Sequence, residues 1–135
     1  MFDFSQMLTD HTLETTGTWV PFTDESRLLI ARQGNDEYTD LLQGMVTANR
    51  ALIDQNDKAS RRKQQEILEE VYAKTILKSV DGIMFEGVAV TPENYTPAIG
   101  LKMFRASKDF FKKVQGYAQQ ADLYRRKAED EAVGN

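Results

Sequence analysis

Cysteine and histidine, which build many metal and nucleophile sites, are almost absent from this 135-residue chain. With no cysteine, disulfides, thiolate metal sites and cysteine nucleophiles are excluded. The single histidine, His11, has no second histidine with which to share a metal ion and no evident partner that would orient it as a general base. An exposed surface histidine is the favoured interpretation, and no metal site is predicted.

Paired carboxylates are the other candidates for acid–base chemistry. The adjacent acidic pairs are Glu69-Glu70 and Asp24-Glu25. Neighbours on a helix do not share a face, and acids are common in turns, so neither pair predicts a catalytic dyad. Glycine-rich phosphate loops, the nucleophile-elbow pattern and calcium-loop spacing are also missing from the sequence. We therefore expect no enzyme activity and no cofactor.

Basic clusters on predicted helices could contact phosphate. They are Arg61-Arg62-Lys63, Lys112-Lys113 and Arg125-Arg126-Lys127. Acids or amides lie beside each cluster, which favours solvated helix faces. The net charge of −4 also opposes binding to phosphate groups. Nucleic-acid binding is therefore kept only as a minor alternative.

The N-terminal part of the chain predicts a β-hairpin behind a polar segment. Residues 1–16 form a polar lead-in whose only large apolar residues are Phe2, Phe4, Met7 and Leu8. Residues 17–32 contain an aromatic and β-branched run and an aliphatic run, separated by turn-forming residues at 23–26. A hairpin over 17–32 is predicted, and Pro21 confines its own strand to an edge or to a site that needs no N–H.

Helical periodicity follows the hairpin. Asn35 is a candidate cap for a helix whose apolar stripe runs from Tyr38 to Ile53. A second helix is predicted from residue 59 to about residue 80, and Asp81-Gly82 would end it. The first two helices would form a helical hairpin, and residues 83–90 are predicted to be extended or in a loop.

The last third predicts two more helices. A capping hydroxyl followed by proline at 91–92 predicts a short helix from there to about residue 105. Ser107 is a candidate cap for the final helix, whose aromatic stripe contains Phe110, Tyr117 and Tyr124. This stripe has two interpretations, core packing or a surface that holds another chain, and core is the default. Phe111 lies beside the stripe and widens the apolar face.

Together these patterns predict a mainly α fold, a helical bundle of about four helices with a small N-terminal β-hairpin. The length fits one domain at 17–128, behind the lead-in at 1–16 and before a frayed tail at 129–135. Trp19, Ile30 and Tyr38 are predicted to anchor the hairpin on the first helix. Such a protein, with broad apolar faces and no catalytic site, is typical of a binding module.

The order of the motifs resembles the tail assembly chaperones of long-tailed bacteriophages. The matching stretches are GTWVPF at 17–22, LIAR at 29–32, Gly34-Asn35 with Tyr38, VTPEN at 90–94 and the aromatic helix from Ser107. The resemblance spans most of residues 17–125. One departure is the segment 83–90, which lacks the tryptophan-containing, aspartate-rich loop of the family.

The resemblance implies a protein that coats the tape measure protein, keeps it soluble during tail assembly and is absent from the finished virion. It further implies self-association and a longer, frameshifted form that contacts the tail tube protein. Weak, repeated contacts from amphipathic helices suit such a role. The residues expected to contact the client are Phe110, Phe111, Tyr117 and Tyr124.

Two alternatives stay open at this point. One is a permanent structural component of a phage tail or neck, and the other is a small helical regulatory or nucleic-acid-binding protein. No apolar run approaches the ~20 residues that span a bilayer, and the N-terminus lacks the pattern of a signal peptide. We therefore expect no membrane contact and a cytoplasmic location, and the resemblance implies that this is the cytoplasm of the host bacterium.

Overall fold

A computed structural model describes residues 1–126 of the chain. The α-helices are α1 His11–Thr16, α2 Asp36–Ala48, α3 Arg50–Ile53, α4 Lys58–Thr75, α5 Pro97–Ala106 and α6 Lys108–Ala118. The strands are β1 Thr18–Thr23, β2 Ser26–Ile30, β3 Leu77–Asp81, β4 Ile83–Phe85 and β5 Val88–Val90. Two 3₁₀ helices, Phe4–Met7 and Ala121–Tyr124, precede α1 and follow α6.

The hairpin of β1 and β2 lies inside the segment where the sequence predicts one. Val20 is opposite Leu28, and Leu28 is in turn opposite Val80 of β3, which completes an antiparallel sheet in the order β1-β2-β3. All three side chains are almost fully buried. Because alternate residues of a strand face opposite sides, Trp19 and Leu29, which are also paired, lie on the other face of the sheet.

The prediction of a mainly helical bundle is wrong, because the fold is mixed α and β with two antiparallel sheets of three and two strands. The second helix ends at Thr75 and residues 77–81 form β3. The spacing of the buried residues Ile76, Leu77 and Val80 fits a helical stripe. The strand places Leu77 opposite Ile30 and Val80 opposite Leu28 because its register with β2 shifts between Leu29 and Ile30. Residues 77–81 form a strand because they pair with β2, which would otherwise have no hydrogen-bonded neighbour on that side.

Residues 83–90 form a second hairpin. Its turn contains Glu86 and Gly87, both with positive φ, 51° and 77°. Two successive left-handed residues are the requirement of a type I′ turn, which matches the twist of the flanking strands. Gly82 links this hairpin to β3 and also has a positive φ, so Asp81-Gly82 is a link between strands and not a helix end.

The third predicted helix begins five residues later than expected. Thr91 and Asn94 form a turn in which the Asn94 side chain accepts a hydrogen bond from the Thr91 N–H at 2.8 Å. The helix begins at Pro97, with Thr96 as its cap. Both Thr-Pro pairs have the sequence of a helix start, but a helix from residue 92 would place Pro97 in its interior, where proline breaks the hydrogen-bond ladder.

The core lies between the inner face of the three-stranded sheet and the helices α4, α5 and α6. The rings of Tyr72, Phe104 and Phe111 meet at its centre, with centroids 5.2 Å apart for Tyr72 and Phe111 and 4.8 Å apart for Phe104 and Phe111. Such tilted and edge contacts are the arrangements that aromatic rings prefer. α4 contacts α2, α5 and β3 and is therefore the central helix of the domain.

The final helix is shorter than predicted, and the lead-in is attached to the segment that follows it. α6 ends at Ala118, so Tyr124 lies on the second 3₁₀ helix and not on the same helical stripe as Phe110. The backbone N–H of Asp10 donates to the carbonyl of Tyr124 at 2.8 Å, and that of Arg126 donates to the carbonyl of Leu8 at 3.1 Å. The predicted tail at 129–135 lies outside the described residues.

Candidate partner-binding surfaces

Tyrosine hydroxyls hydrogen-bond to a backbone carbonyl on each strand of the larger sheet. Tyr117 of α6 donates to Pro21 of β1 at 3.3 Å, and Tyr124 donates to Ile30 of β2 at 2.9 Å. Tyr95 donates to Leu77 of β3 at 2.8 Å. Burial raises the pKa of Tyr95 and Tyr124, so both remain neutral donors.

These hydrogen bonds limit the ability of the two edge strands to pair with a strand of another protein. Pro21 has no N–H to offer, and its carbonyl already accepts from Tyr117. At the opposite edge, the carbonyl of Leu77 accepts from Tyr95. A partner strand would have to displace these bonds, so addition of a strand to this sheet is disfavoured.

The four residues expected to contact a client hold the final segment on the domain. Phe111 and Tyr124 are buried, with 4% and 0% exposure. Phe110 is half-buried and packs edge-on against Phe22, with ring centroids 5.6 Å apart. Tyr117 is also half-buried. In this conformation the four rings mainly cover the sheet, and other residues of the domain are better exposed to a partner.

The three predicted anchors divide between the two faces of the sheet. Ile30 and Tyr38 are buried in the core, and Tyr38 packs edge-on against Tyr72 at 5.7 Å between ring centroids. Asn35 caps α2 as predicted, accepting from the Tyr38 N–H at 3.0 Å. Trp19 instead lies on the outer face, outside the core cluster.

The outer face of the sheet has an ordered row of side chains across its three strands. The guanidinium carbon of Arg27 lies 4.0 Å from the centroid of the Trp19 ring, and its Nε donates to Asp81 at 3.2 Å. A cation–π contact at an exposed site stabilises by about 0.5–1 kcal/mol. An open depression of about 370 Å³ borders this row. Arg27 is already paired on both sides, which leaves the row little capacity to bind a further charged group.

His11 belongs to a polar cluster around Glu14. Glu14 accepts hydrogen bonds from Arg32 at 2.9 Å and from Thr9 at 3.1 Å, and the ring of His11 lies 2.9 Å from the same carboxylate. Burial of Glu14 opposes its ionisation, but these partners outweigh it and hold its pKa below the usual value. The cluster joins α1 to the end of β2, and a structural role accounts for it.

The second hairpin carries two of the large apolar side chains that the domain leaves exposed. Paired residues of antiparallel strands share a face, so Phe85 and Val88 lie on one face and Met84 lies on the other with Ala89. Val88 is 58% exposed and Met84 is 68% exposed. The hairpin therefore presents apolar side chains on both of its faces.

An apolar groove of about 290 Å³ lies between this hairpin and α5. We call it the hairpin groove, and its lining residues are Phe85, Glu86, Val88, Val90, Asn94, Ile99 and Lys102. Four of the seven are apolar, and the charged side chains of Glu86 and Lys102 are exposed. An apolar floor beside exposed charges is typical of sites that bind one or two apolar side chains of a partner.

Large apolar side chains are also exposed at the N-terminus. Phe2, Phe4 and Met7 are 65%, 70% and 51% exposed. We call residues 1–7 the N-terminal arm. Arg125 holds the base of the arm by donating to the carbonyl of Met7 at 3.1 Å. The arm is therefore fixed at its base to the domain while its apolar side chains face away from it.

Sequence reasoning did not assign a role to the hairpin groove or to the arm. The signal for the hairpin was the apolar strand IMF, the turn-forming pair Glu86-Gly87 and the apolar strand VAV, which together are typical of a tight hairpin. The arm offered only scattered apolar residues in a polar segment. Nothing in the sequence indicated that α5 would lie below the hairpin, because that packing is long-range.

The described residues give little support to metal binding, membrane insertion or phosphate binding by the third basic cluster. Within residues 1–126 no group of three or more histidine, aspartate or glutamate side chains could hold a metal ion. No helix in that range is long and apolar enough to cross a membrane. In the third basic cluster, Arg125 donates to Met7 and Arg126 donates to the carbonyl of Thr9 at 3.2 Å. Both arginines hold the lead-in on the domain, and Lys127 lies outside the described residues.

The family model described as YdaY prophage protein matches residues 33–135, a range that starts after the first hairpin and includes the hairpin groove. No curated protein and no solved structure matches the chain.

Proposed function

Because the chain belongs to the YdaY prophage protein family, which makes it phage-related, we propose that it acts as a tail assembly chaperone. In this role it binds the tape measure protein, keeps it soluble in the host cytoplasm during tail assembly and leaves before the virion is complete. The role needs binding and no catalytic group. It is the function implied by the motif order at 17–125, applied to a phage-related chain.

The observation that carries the proposal is the hairpin groove with its exposed apolar rim. Stable monomers seldom expose large contiguous apolar patches, and an apolar groove beside an exposed apolar side chain is a candidate interaction surface. Val88 is 58% exposed although it neighbours the half-buried Phe85 and Ile99. A helical client with an apolar stripe could place one or two side chains on this floor.

The size of the groove suits reversible binding. A groove of about 290 Å³ accepts few side chains, so each contact is weak, and a long client would be covered by many copies that bind it separately. Weak individual contacts also permit release, which a chaperone absent from the virion requires. Exposed Glu86 and Lys102 favour client helices that have both charge signs beside their apolar stripe.

Co-expression with the long helical protein encoded downstream tests the proposal. We expect the wild-type chain to make that client soluble and to co-purify with it. Val88→Asp should abolish both effects, because a charge would lie on the apolar floor of the groove. Met84→Asp is the matched control, since it makes the same substitution type on the opposite face of the same hairpin and should retain rescue.

Three results would contradict the proposal. The first is a client that stays insoluble and unbound with the wild-type chain. The second is equal loss of rescue for Val88→Asp and Met84→Asp while both variants are folded, because the groove would then have no special role. The third is the chain at fixed copy number in purified particles, which would favour a permanent structural component.

A further inference from the structure

The N-terminal arm is an apolar element that the domain itself does not cover. Phe4 and Met7 begin and end the 3₁₀ helix, and side chains three residues apart on such a helix lie one above the other. Both are more than half exposed. The arm therefore offers one narrow apolar face that contains an aromatic ring and a methionine.

The hairpin groove has a volume that could hold such side chains. This volume is about 290 Å³. A cavity of about 150 Å³ holds a benzene ring, so the groove has room for one aromatic ring and part of a second side chain. None of the residues that line it belongs to the arm of the same chain. Arm and groove are thus two separate apolar features on one molecule.

The arm carries a carboxylate that complements one of the two charges at the groove, Lys102, and that would have to lie away from the other, Glu86. Asp3, which caps the arm's 3₁₀ helix, is one residue from Phe4, and Lys102 lies at the groove beside Ile99 on α5. The hydrogen bond from the Ser5 backbone N–H holds the pKa of Asp3 below its usual value, so its carboxylate is ionised at neutral pH. Phe4 on the groove floor would bring Asp3 towards Lys102.

We propose that the N-terminal arm of one copy of this chain docks in the hairpin groove of a second copy, with Phe4 and Met7 on the apolar floor and Asp3 near Lys102. The contact is heterologous, because arm and groove are different surfaces. Each added copy therefore leaves one arm and one groove open, and copies assemble head to tail into a ring or an open chain. This goes beyond client binding and names the surfaces of self-association.

The inference rests on the proposed function in one respect only, because the groove is also the surface proposed for the client. Client and second copy would then compete for one groove, and client binding would disassemble the free copies. Self-association itself requires no client. The test therefore uses the purified full chain alone, so that its failure leaves the chaperone proposal intact.

Sedimentation velocity of the full chain over a wide range of concentrations measures the assembly. We expect wild-type mass to rise with concentration, and Phe4→Asp and Val88→Asp each to weaken association by about tenfold or more. A mixture of these two variants should form dimers and nothing larger. The intact arm of Val88→Asp can dock in the intact groove of Phe4→Asp, and the arm and groove that remain are both altered. Gln6→Asp on the arm and Met84→Asp on the hairpin are matched controls and should assemble like wild type.

A wild-type chain that stays monomeric at every concentration would overturn the inference. Control variants that lose assembly as strongly as the test variants would also overturn it. A mixture of the two test variants that stays monomeric, although circular dichroism shows both to be folded, would do the same. If Val88→Asp misfolds, Lys102→Glu replaces it, since that side chain is exposed on α5. This variant should weaken assembly and reverse its response to salt, because a glutamate at 102 would repel Asp3 and salt screens that repulsion. Unchanged assembly would count against the proposed pairing with Asp3.

Discussion

The three-stranded sheet and the β4–β5 hairpin have opposite relations to their surroundings. The sheet covers α4, α5 and α6 with one face, and tyrosine hydroxyls occupy a carbonyl on each of its strands. The hairpin is two strands of three residues with apolar side chains exposed on both faces. A two-stranded sheet is marginal without further packing, so the hairpin depends on the packing of Ile83, Phe85 and Val90 with the core and leaves its other surface open. The difference separates the part that makes the domain stable from the part that is free to bind.

The largest expected contrast is between a core ring and a groove side chain. Phe104 is fully buried and contacts both Phe110 and Phe111. Phe104→Ala should lower the free energy of unfolding by about 3–5 kcal/mol. Val88→Ala should change it by less than about 0.5 kcal/mol, because that side chain is mostly exposed. Urea unfolding of the two variants measures both, and similar losses would show that the hairpin belongs to the stabilising part.

Two glycines in the left-handed region sharpen the comparison. Gly82 lies where the sheet meets the hairpin, and an added Cβ would overlap the carbonyl oxygen of Glu25. Gly87 lies at the hairpin tip, where an added Cβ meets no atom within 4 Å. Gly82→Ala should cost more than about 2 kcal/mol, and Gly87→Ala about 1 kcal/mol from the backbone conformation alone. Thermal unfolding should rank them in this order, and the reverse order would contradict the packing at Gly82.

The smallest expected effect concerns the tyrosine hydroxyls. Tyr124→Phe leaves the ring in place but removes the bond to the buried Ile30 carbonyl, so we expect a loss of about 1–2 kcal/mol. Tyr117→Phe removes a longer bond near the surface and should cost less than about 0.5 kcal/mol. Chemical denaturation of both variants checks this. An equal loss would mean that the β1 edge depends on its tyrosine as strongly as β2 does.

Local sequence signals predicted the first hairpin and two helix starts, although the predicted fold class was wrong. Asn35 and Ser107 cap their helices as expected, with the Phe110 N–H donating to the Ser107 hydroxyl at 3.1 Å. These predictions were confirmed because a cap involves residues within three positions of each other. The predicted helix start at 91–92 was wrong, because the helix is capped by Thr96 and begins at Pro97, a proline that a longer helix could not hold in its interior.

The candidate site was harder to predict than the fold. The aromatic stripe of Phe110, Tyr117 and Tyr124 assumed one continuous helix, but α6 ends at Ala118 and the buried Tyr124 reaches β2 from a separate 3₁₀ helix. Trp19 was expected against the first helix and lies on the outer face of the sheet, under Arg27. The face that an aromatic side chain occupies depends on strand register, and register is a long-range property.

By itself, the sequence determined what depends on neighbouring residues and on composition: the first hairpin, the capped starts of α2 and α6 and the exclusion of cysteine chemistry. Only the tertiary structure decided that residues 77–81 are a strand, which aromatic rings are buried and where apolar side chains stay exposed. The reason is that the spacing of Ile76, Leu77 and Val80 is that of a helix, and a strand accommodates it only through the register shift opposite Leu29 and Ile30. The choice between them is made by β2, nearly fifty residues away along the chain.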